Sequence, residues 1–397
     1  MSRILILGGG VGGIAAANTL RSMLPAEHKI TIIDVSGKFA MGATKTWVML
    51  GERTPEQVTR SVSSLKRRNI DVKIEQILHI DAQNCKVTTR RGVVEGDFMI
   101  VALGADVSFG GIEGLEGRTH SFYTMKDAVR LRDALKQFRG GDLLLLIPQT
   151  PFKCPPAPYE AAMLLHHYFK KLGKETRIEI YTVEGAPMAT AGPEIGAFVK
   201  SELAARTIGY FPQRRVKAVD TKSVVFQDGT EAKYNLLIAV PPHSSPKVVR
   251  DSGLANQGGW IPVDGMTLRM TGPAAGDRCY AVGDVTVLSL PGRFKPDVPL
   301  VLPKAGVFAD AQARTAAAQI ASRVLGRESA EAFDGKGFCY IEMGDSHAVR
   351  GDGSFFDLPN PTMKKRVPDL MQMEEKRQWV DGWMKRNLGQ LDGAFSR

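Results

Sequence analysis

No stretch of the sequence approaches the run of roughly eighteen apolar residues that a membrane-spanning helix requires, so the chain is not expected to cross a bilayer. The opening residues Met1-Ser2-Arg3-Ile4-Leu5-Ile6-Leu7 show neither a charged region nor a long apolar region with a cleavage site. A secretory signal is therefore not expected, and the expected location is cytoplasmic. Cysteine is scarce, with four in 397 residues (Cys85, Cys154, Cys279, Cys339), too few for a disulfide framework. None stands in a Cys-x-x-Cys pair or at a Cys/His spacing suited to zinc, so no metal is expected. Low-complexity tracts are also missing. The formal charge of +10 favours an anionic neighbour. The basic clusters Lys66-Arg67-Arg68 and Lys364-Lys365-Arg366 are short, and nucleic acid is not an expected partner.

One absence is local and informative. The stretch Pro148 to Glu160 joins the apolar run Asp142 to Ile147 to a helical pattern from Tyr159 to Leu172, the place where a dinucleotide-binding unit carries its glycines. It contains no glycine. Each of its prolines removes a backbone N–H that would hold a phosphate oxygen, and Cys154 stands in the middle.

A complete glycine motif is found at the start instead. The strand Arg3 to Leu7 is followed by Gly8-Gly9-Gly10-Val11-Gly12-Gly13, an alanine-rich helix, and the strand Lys29 to Asp34. Gly8, Gly10 and Gly13 occupy the Gly-x-Gly-x-x-Gly positions, where missing side chains admit a pyrophosphate to a helix N-terminus. Asp34 stands where an acid binds a ribose hydroxyl. Further on, Thr54-Pro55-Glu56-Gln57 reads as a capping box opening a helix with Val58, Val62 and Leu65 on one face. Asp97 to Ala105 reads as a buried strand ending at Gly104, and Met125 to Phe138 as a helix.

The fold class is α/β, with two Rossmann-like units and a C-terminal α+β domain. The expected boundaries are 1–112 for the first part of the dinucleotide-binding domain and 113–242 for a second Rossmann-like domain without a fingerprint. Residues 243–322 return to the first domain, and 323–397 form the last. The return is signalled by Arg278 to Asp284, a strand ending in Gly283-Asp284, and by Pro303-Lys304-Ala305-Gly306 opening a helix. Cys85 falls in a turn and Cys279 in a strand, and neither is assigned chemistry.

Together, the first glycine motif, Ala281-Val-Gly-Asp284, Phe152-Lys-Cys154-Pro-Pro-Ala-Pro-Tyr159-Glu160, Pro303-Lys304-Ala-Gly306 and Phe338-Cys339-Tyr340 resemble the sulfide:quinone oxidoreductase and flavocytochrome c sulfide dehydrogenase family. The resemblance implies a glutathione-reductase-like fold and a redox-active pair, Cys154 and Cys339, beside FAD. It also implies that Gly8, Gly10, Gly13, Asp34, Gly104, Gly283, Asp284, Lys304 and Gly306 hold that cofactor. Cys339 would be the partner nearer the flavin, and Cys154 the one that meets sulfide. Two departures matter. Tyr123 stands where many sulfide:quinone oxidoreductases have a third cysteine, and residues 35–53 contain no cysteine for a covalent flavin, so FAD should be non-covalent.

Glu160, six residues past Cys154, is read either as a helix-start carboxylate or as the proton acceptor for hydrogen sulfide. The expected function is FAD-dependent oxidation of sulfide or a related small sulfur compound, with electrons passed to quinone. Its alternatives are the flavoprotein subunit of a cytochrome-linked sulfide dehydrogenase and, from another class, a non-catalytic flavin-binding interaction or regulatory protein. Leu370 to Leu388, with Trp379 and Trp383, reads either as a helix in the membrane interface, giving peripheral contact with the cytoplasmic membrane, or as one packed on the core. Homo-oligomerisation is left open.

Overall fold

The computed structural model describes residues 1–389. Its first sheet has five parallel strands in the order Cys279–Ala281, Phe98–Val101, Arg3–Leu7, Lys29–Asp34, Asp71–Ile74. Strands buried on both faces need continuous apolar runs rather than alternation. Ile4, Leu5, Ile6 and Leu7 are accordingly all buried. The helix Val11–Met23 leaves this sheet after the glycine turn and packs on the helix Gly306–Val324, alanine against alanine. Two glycines of the turn are sterically required. Gly8 has φ +107°, and a Cβ on Gly13 would lie 1.8 Å from the Gly8 carbonyl oxygen.

The second sheet is also parallel, in the order Gly209–Phe211, Thr176–Thr182, Gly141–Ile147, Leu236–Ala239. From its strand Gly141–Ile147 the chain passes through the proline-rich loop into the helix Ala157–Lys171. A third, antiparallel sheet is built from Lys336–Gly344, His347–Ser354 and Thr362–Lys365. The helix Leu370–Leu388 follows it. No helix among the described residues is long and apolar enough to cross a membrane.

One local expectation is corrected. The Thr54 capping box forms as read, Thr54 and Gln57 each bonding the other's backbone N–H, but it opens only the single turn Pro55–Val58. The chain then enters a short strand, Thr59–Ser61, paired with Lys38–Ala40, before a 3₁₀ turn over Val62–Arg68. Strand pairing outcompetes helix propagation at this β-branched step, while Val58, Val62 and Leu65 are still buried. Of the two readings of the last helix, the structure shows the packing on the core: Met373, Val380, Trp383 and Met384 are buried, and the Trp383 indole donates to Asp310 Oδ1 at 2.8 Å.

Candidate active site

The three units meet around a cavity of about 840 Å³. Of the residues singled out in the sequence, Cys154, Cys339, Glu160, Asp284, Lys304 and Gly306 line it. Gly8, Gly10, Gly13, Asp34, Gly104 and Gly283 lie outside it, and Val11, the first residue of the helix after the glycine turn, contributes to its wall.

Cys154 comes from the proline-rich loop. Its N–H donates to the Lys304 carbonyl at 2.7 Å, which fastens the loop to the segment before the helix Gly306–Val324. Its φ is +59°, a left-handed conformation uncommon outside glycine and asparagine. Strain of this kind persists only where its surroundings over-determine it. Here the Lys304 contact and the bond from Ala157 N–H to the Cys154 carbonyl hold the turn. Cys154 is exposed to the cavity and Cys339, in the strand Lys336–Gly344, is half-buried; both are free thiols. Protein encloses both on most sides. That burial, with Glu160 next in effect, pushes each thiol up to about 12.

Glu160 is a helix-start carboxylate, but one with buried partners. Lys376 Nζ donates to Glu160 Oε1 at 2.6 Å and lies 2.5 Å from Glu342 Oε1. The Glu342 N–H donates to Glu160 Oε1 at 2.9 Å, and the Trp47 indole donates to Glu342 Oε1 at 2.8 Å. All four residues are at most 4% exposed. Burial and the second carboxylate raise the Glu160 pKa against the pull of Lys376. For Lys376, burial works toward the neutral amine but the two carboxylates outweigh it, so its pKa is raised. Three formal charges sharing one buried site hold a net negative charge, or an extra proton in its place.

Lys376, Glu342 and Trp47 were not picked out from the sequence. A signal existed for Lys376: it shares the apolar stripe Met373, Val380, Trp383, Met384 of its helix, where a solvated lysine has no place.

At another part of the cavity, Asp284 faces lysines. Its Oδ1 is buried without a hydrogen-bond partner, and burial raises its pKa against Lys153, Lys304 and Lys45. Lys304 Nζ donates to the carbonyls of Asp284 (2.7 Å) and Thr286 (3.0 Å) and lies 3.4 Å from the centre of the Trp260 ring. Two of its three N–H groups are thus committed to backbone, and burial pulls its pKa down to about 8. Lys45, also in the wall, is lowered to about 7 by burial and then by Lys153. Tyr123 lines the cavity as well. Its hydroxyl is buried without a partner, and its ring meets His243 edge-on at 5.3 Å.

These features fit a flavin dinucleotide. The helix Val11–Met23 begins at Gly10 without a side-chain cap, so its first N–H groups are available to an anion, and a Cβ at Gly10 would meet nothing. Asp34 accepts at Oδ1 from Ser36 and Gly37 and at Oδ2 from the Gly9 N–H at 2.8 Å, which leaves Oδ2 capacity for a hydroxyl. The orphan Oδ1 of Asp284 asks for a donor of the same kind. Gly104 and Gly283, shortly after the strands Phe98–Val101 and Cys279–Ala281, both have positive φ, +70° and +75°.

Comparison with known proteins agrees. A family model described as pyridine nucleotide-disulphide oxidoreductase matches residues 2–147. A second, described as the central part of the sulfide dehydrogenase [flavocytochrome c] flavoprotein chain, matches residues 128–241. The sulfide-quinone reductase of Aquifex aeolicus is 27% identical over 384 residues, 92% of this chain and 85% of that protein. The mitochondrial sulfide:quinone oxidoreductase of Mus musculus is 26% identical over 280 residues, and the match spans 62% of its length. The X-ray structure of the sulfide:quinone oxidoreductase from Aquifex aeolicus superposes with a TM-score of 0.86 over 98% of this chain and 92% of that one, at 24% identity. The chain is thus an oxidoreductase of glutathione-reductase-like, flavin-binding fold, and the family it resembles in sequence and in fold is that of the sulfide:quinone oxidoreductases and flavocytochrome c sulfide dehydrogenase flavoproteins.

Proposed function

We propose that this protein oxidises sulfide, or a closely related small sulfur compound, through Cys154 and Cys339 and passes the electron pair to quinone. The observation that carries the reading is that these two cysteines, one from the proline-rich loop and one from the third sheet, open into one cavity that also holds Asp284 and Lys304.

In the oxidised pair, HS⁻ attacks one sulfur of the Cys154–Cys339 disulfide; the S–S bond breaks, a persulfide forms on Cys154 and Cys339 leaves as thiolate. The greater exposure of Cys154 to the cavity supports its being the sulfur attacked. FAD, when bound, accepts the electron pair that sulfide gives up. Gly8, Gly10, Gly13, Asp34, Gly104, Gly283 and Asp284 would hold it non-covalently, with Gly306 opening the helix beside it. No cysteine occurs in residues 35–53, and Tyr123 supplies no thiol.

Glu160 takes the sulfide proton. Its shared ammonium lets Lys376 and Glu342 spread the resulting change of charge, so no isolated buried carboxylate is created. The remaining N–H of Lys304 and the uncapped N-terminus of the helix Gly306–Val324 put positive potential where a reduced ring would carry negative charge. Phe338, Phe355 and Trp379 give the cavity an apolar wall suited to a quinone ring.

Anaerobic addition of sulfide to the flavin-loaded protein tests the reading. Bleaching of the flavin absorbance, followed by reoxidation with a short-chain quinone and not with cytochrome c, is the expected result. An unchanged spectrum would favour a flavin-binding protein without turnover.

A further inference from the structure

Away from the cavity, the fold brings together the two cysteines that the sequence leaves without a role. Cys85 closes the turn between the strands Ile77–Asp81 and Lys86–Thr89, and Cys279 opens the edge strand Cys279–Ala281 of the first sheet. Their sulfurs lie 3.5 Å apart and both side chains are fully buried.

Two further observations mark the pair as held rather than incidental. The Cys85 backbone has φ +52°, although Asn84 just before it is the type that tolerates that conformation best. The turn therefore accepts strain at the residue whose thiol points inward. The two backbones are also clamped. Cys279 Sγ donates to the Ala82 carbonyl at 2.9 Å, and a Cβ on Gly276 would come within 2.3 Å of the same oxygen. Closing the sulfurs to a bond of about 2.0 Å is then a movement of side-chain scale.

We propose that Cys85 and Cys279 are a second redox dithiol, which a hydrogen polysulfide converts to a disulfide pinning the small sheet of residues 77–95 to the first sheet. The Cys85 thiol attacks H–S–S–H, giving a Cys85 persulfide and one H₂S. The Cys279 thiol then attacks the Cys85 sulfur, forming the protein disulfide and releasing a second H₂S. Two electrons pass from the two thiols to the polysulfide, and all hydrogens leave on the two H₂S molecules. The asymmetry of the pair suits this order. Cys279 Sγ donates to the Ala82 carbonyl, and the contact with Cys279 lowers the Cys85 thiol while the Cys279 thiol is raised.

Burial selects the oxidant, since only a small neutral molecule reaches these sulfurs without unfolding the chain. The strand that Cys279 opens runs directly into Gly283-Asp284, so the bond anchors the segment that carries Asp284 to the cavity. A polysulfide is what oxidation of sulfide would supply, and to that extent the cellular oxidant rests on the proposed function. The chemistry does not, because the test adds the oxidant directly.

The flavin-loaded protein is treated anaerobically with inorganic polysulfide, denatured with an alkylating agent and digested without reductant. The expected product is a peptide pair joined through Cys85 and Cys279, two hydrogens lighter than its parts and released by dithiothreitol. The treated protein should also melt a few degrees higher, because the cross-link restricts the unfolded chain. Cys85→Ser and Cys279→Ala, which keep Cys154 and Cys339, should lose that rise. Full alkylation of Cys85 and Cys279 after Cys154 has reacted, or the same rise in both variants, would overturn the proposal.

Discussion

Lys376 and Glu160 form an ion pair inside the protein, 2.6 Å from nitrogen to oxygen, with a second carboxylate, Glu342, on the same nitrogen at 2.5 Å. An ammonium between two buried carboxylates is a case in which removing one partner differs sharply from removing another.

Substituting Lys376→Met leaves Glu160 and Glu342 facing each other without a counter-charge. The expected loss is about 3–5 kcal/mol, the range for breaking a buried pair. Glu160→Gln leaves one carboxylate for one ammonium and should cost clearly less. Urea denaturation of the two variants checks the order; equal losses would show that the charges are not coupled as the distances indicate.

The orphan Oδ1 of Asp284 predicts a flavin contact. Asp284→Ala should weaken flavin retention by roughly tenfold or more, the value of one hydrogen bond to a charged acceptor. Asp284→Asn keeps an acceptor at that place and should lose less. Recovery of flavin fluorescence on dilution measures both. Equal retention in wild type and Asp284→Ala would remove this residue from the cofactor site.

His243 gives a pH dependence with a defined sign. Burial, and next the Lys153 charge, pull its imidazole from 6.5 down to about 3. As pH falls through 6.5 the unfolded chain takes up a proton that the folded one does not accept until about 3. Stability is therefore lost over that window, by at most about 1.4 kcal/mol per pH unit. The stability difference between wild type and His243→Phe should shrink steadily as pH falls from 6.5 to 3, and a constant difference would contradict the assignment.

The loop around Cys154 predicts an electron donor that will not work. Without glycine, and with Pro148, Pro151, Pro155, Pro156 and Pro158 removing N–H groups, the second Rossmann-like unit has no cradle for a pyrophosphate. NADH should therefore leave the flavin oxidised under conditions where sulfide reduces it. Bleaching by NADH at a comparable rate would place a nucleotide site that the loop does not provide.

Much of this was legible in the sequence because it depends on local pattern. The apolar strand Arg3–Leu7 with its glycine turn, and the strand–loop–helix around Cys154, are each written within some twenty residues. The return of Cys279–Ala281 to the first sheet was legible only as a second buried strand with Gly283-Asp284 at its end. What could not be read was long-range. The Glu160–Lys376–Glu342 cluster joins three segments, and the Cys85–Cys279 contact joins a turn to a strand far along the chain; Glu160 alone looks like a helix cap and each cysteine like a core thiol, and the apolar stripe that carries Lys376 does not name its partners. The misread helix after Thr54 has the opposite cause. A genuine cap was present, but it could not show that strand pairing with Lys38–Ala40 ends the helix after one turn.

The most direct test is anaerobic sulfide titration of the flavin spectrum in three proteins, the wild type, Cys154→Ser and Cys339→Ser, all loaded with FAD. The account predicts bleaching in the wild type and none at a comparable rate in either variant. Full bleaching in both variants would contradict the assignment of the reaction to this pair of cysteines.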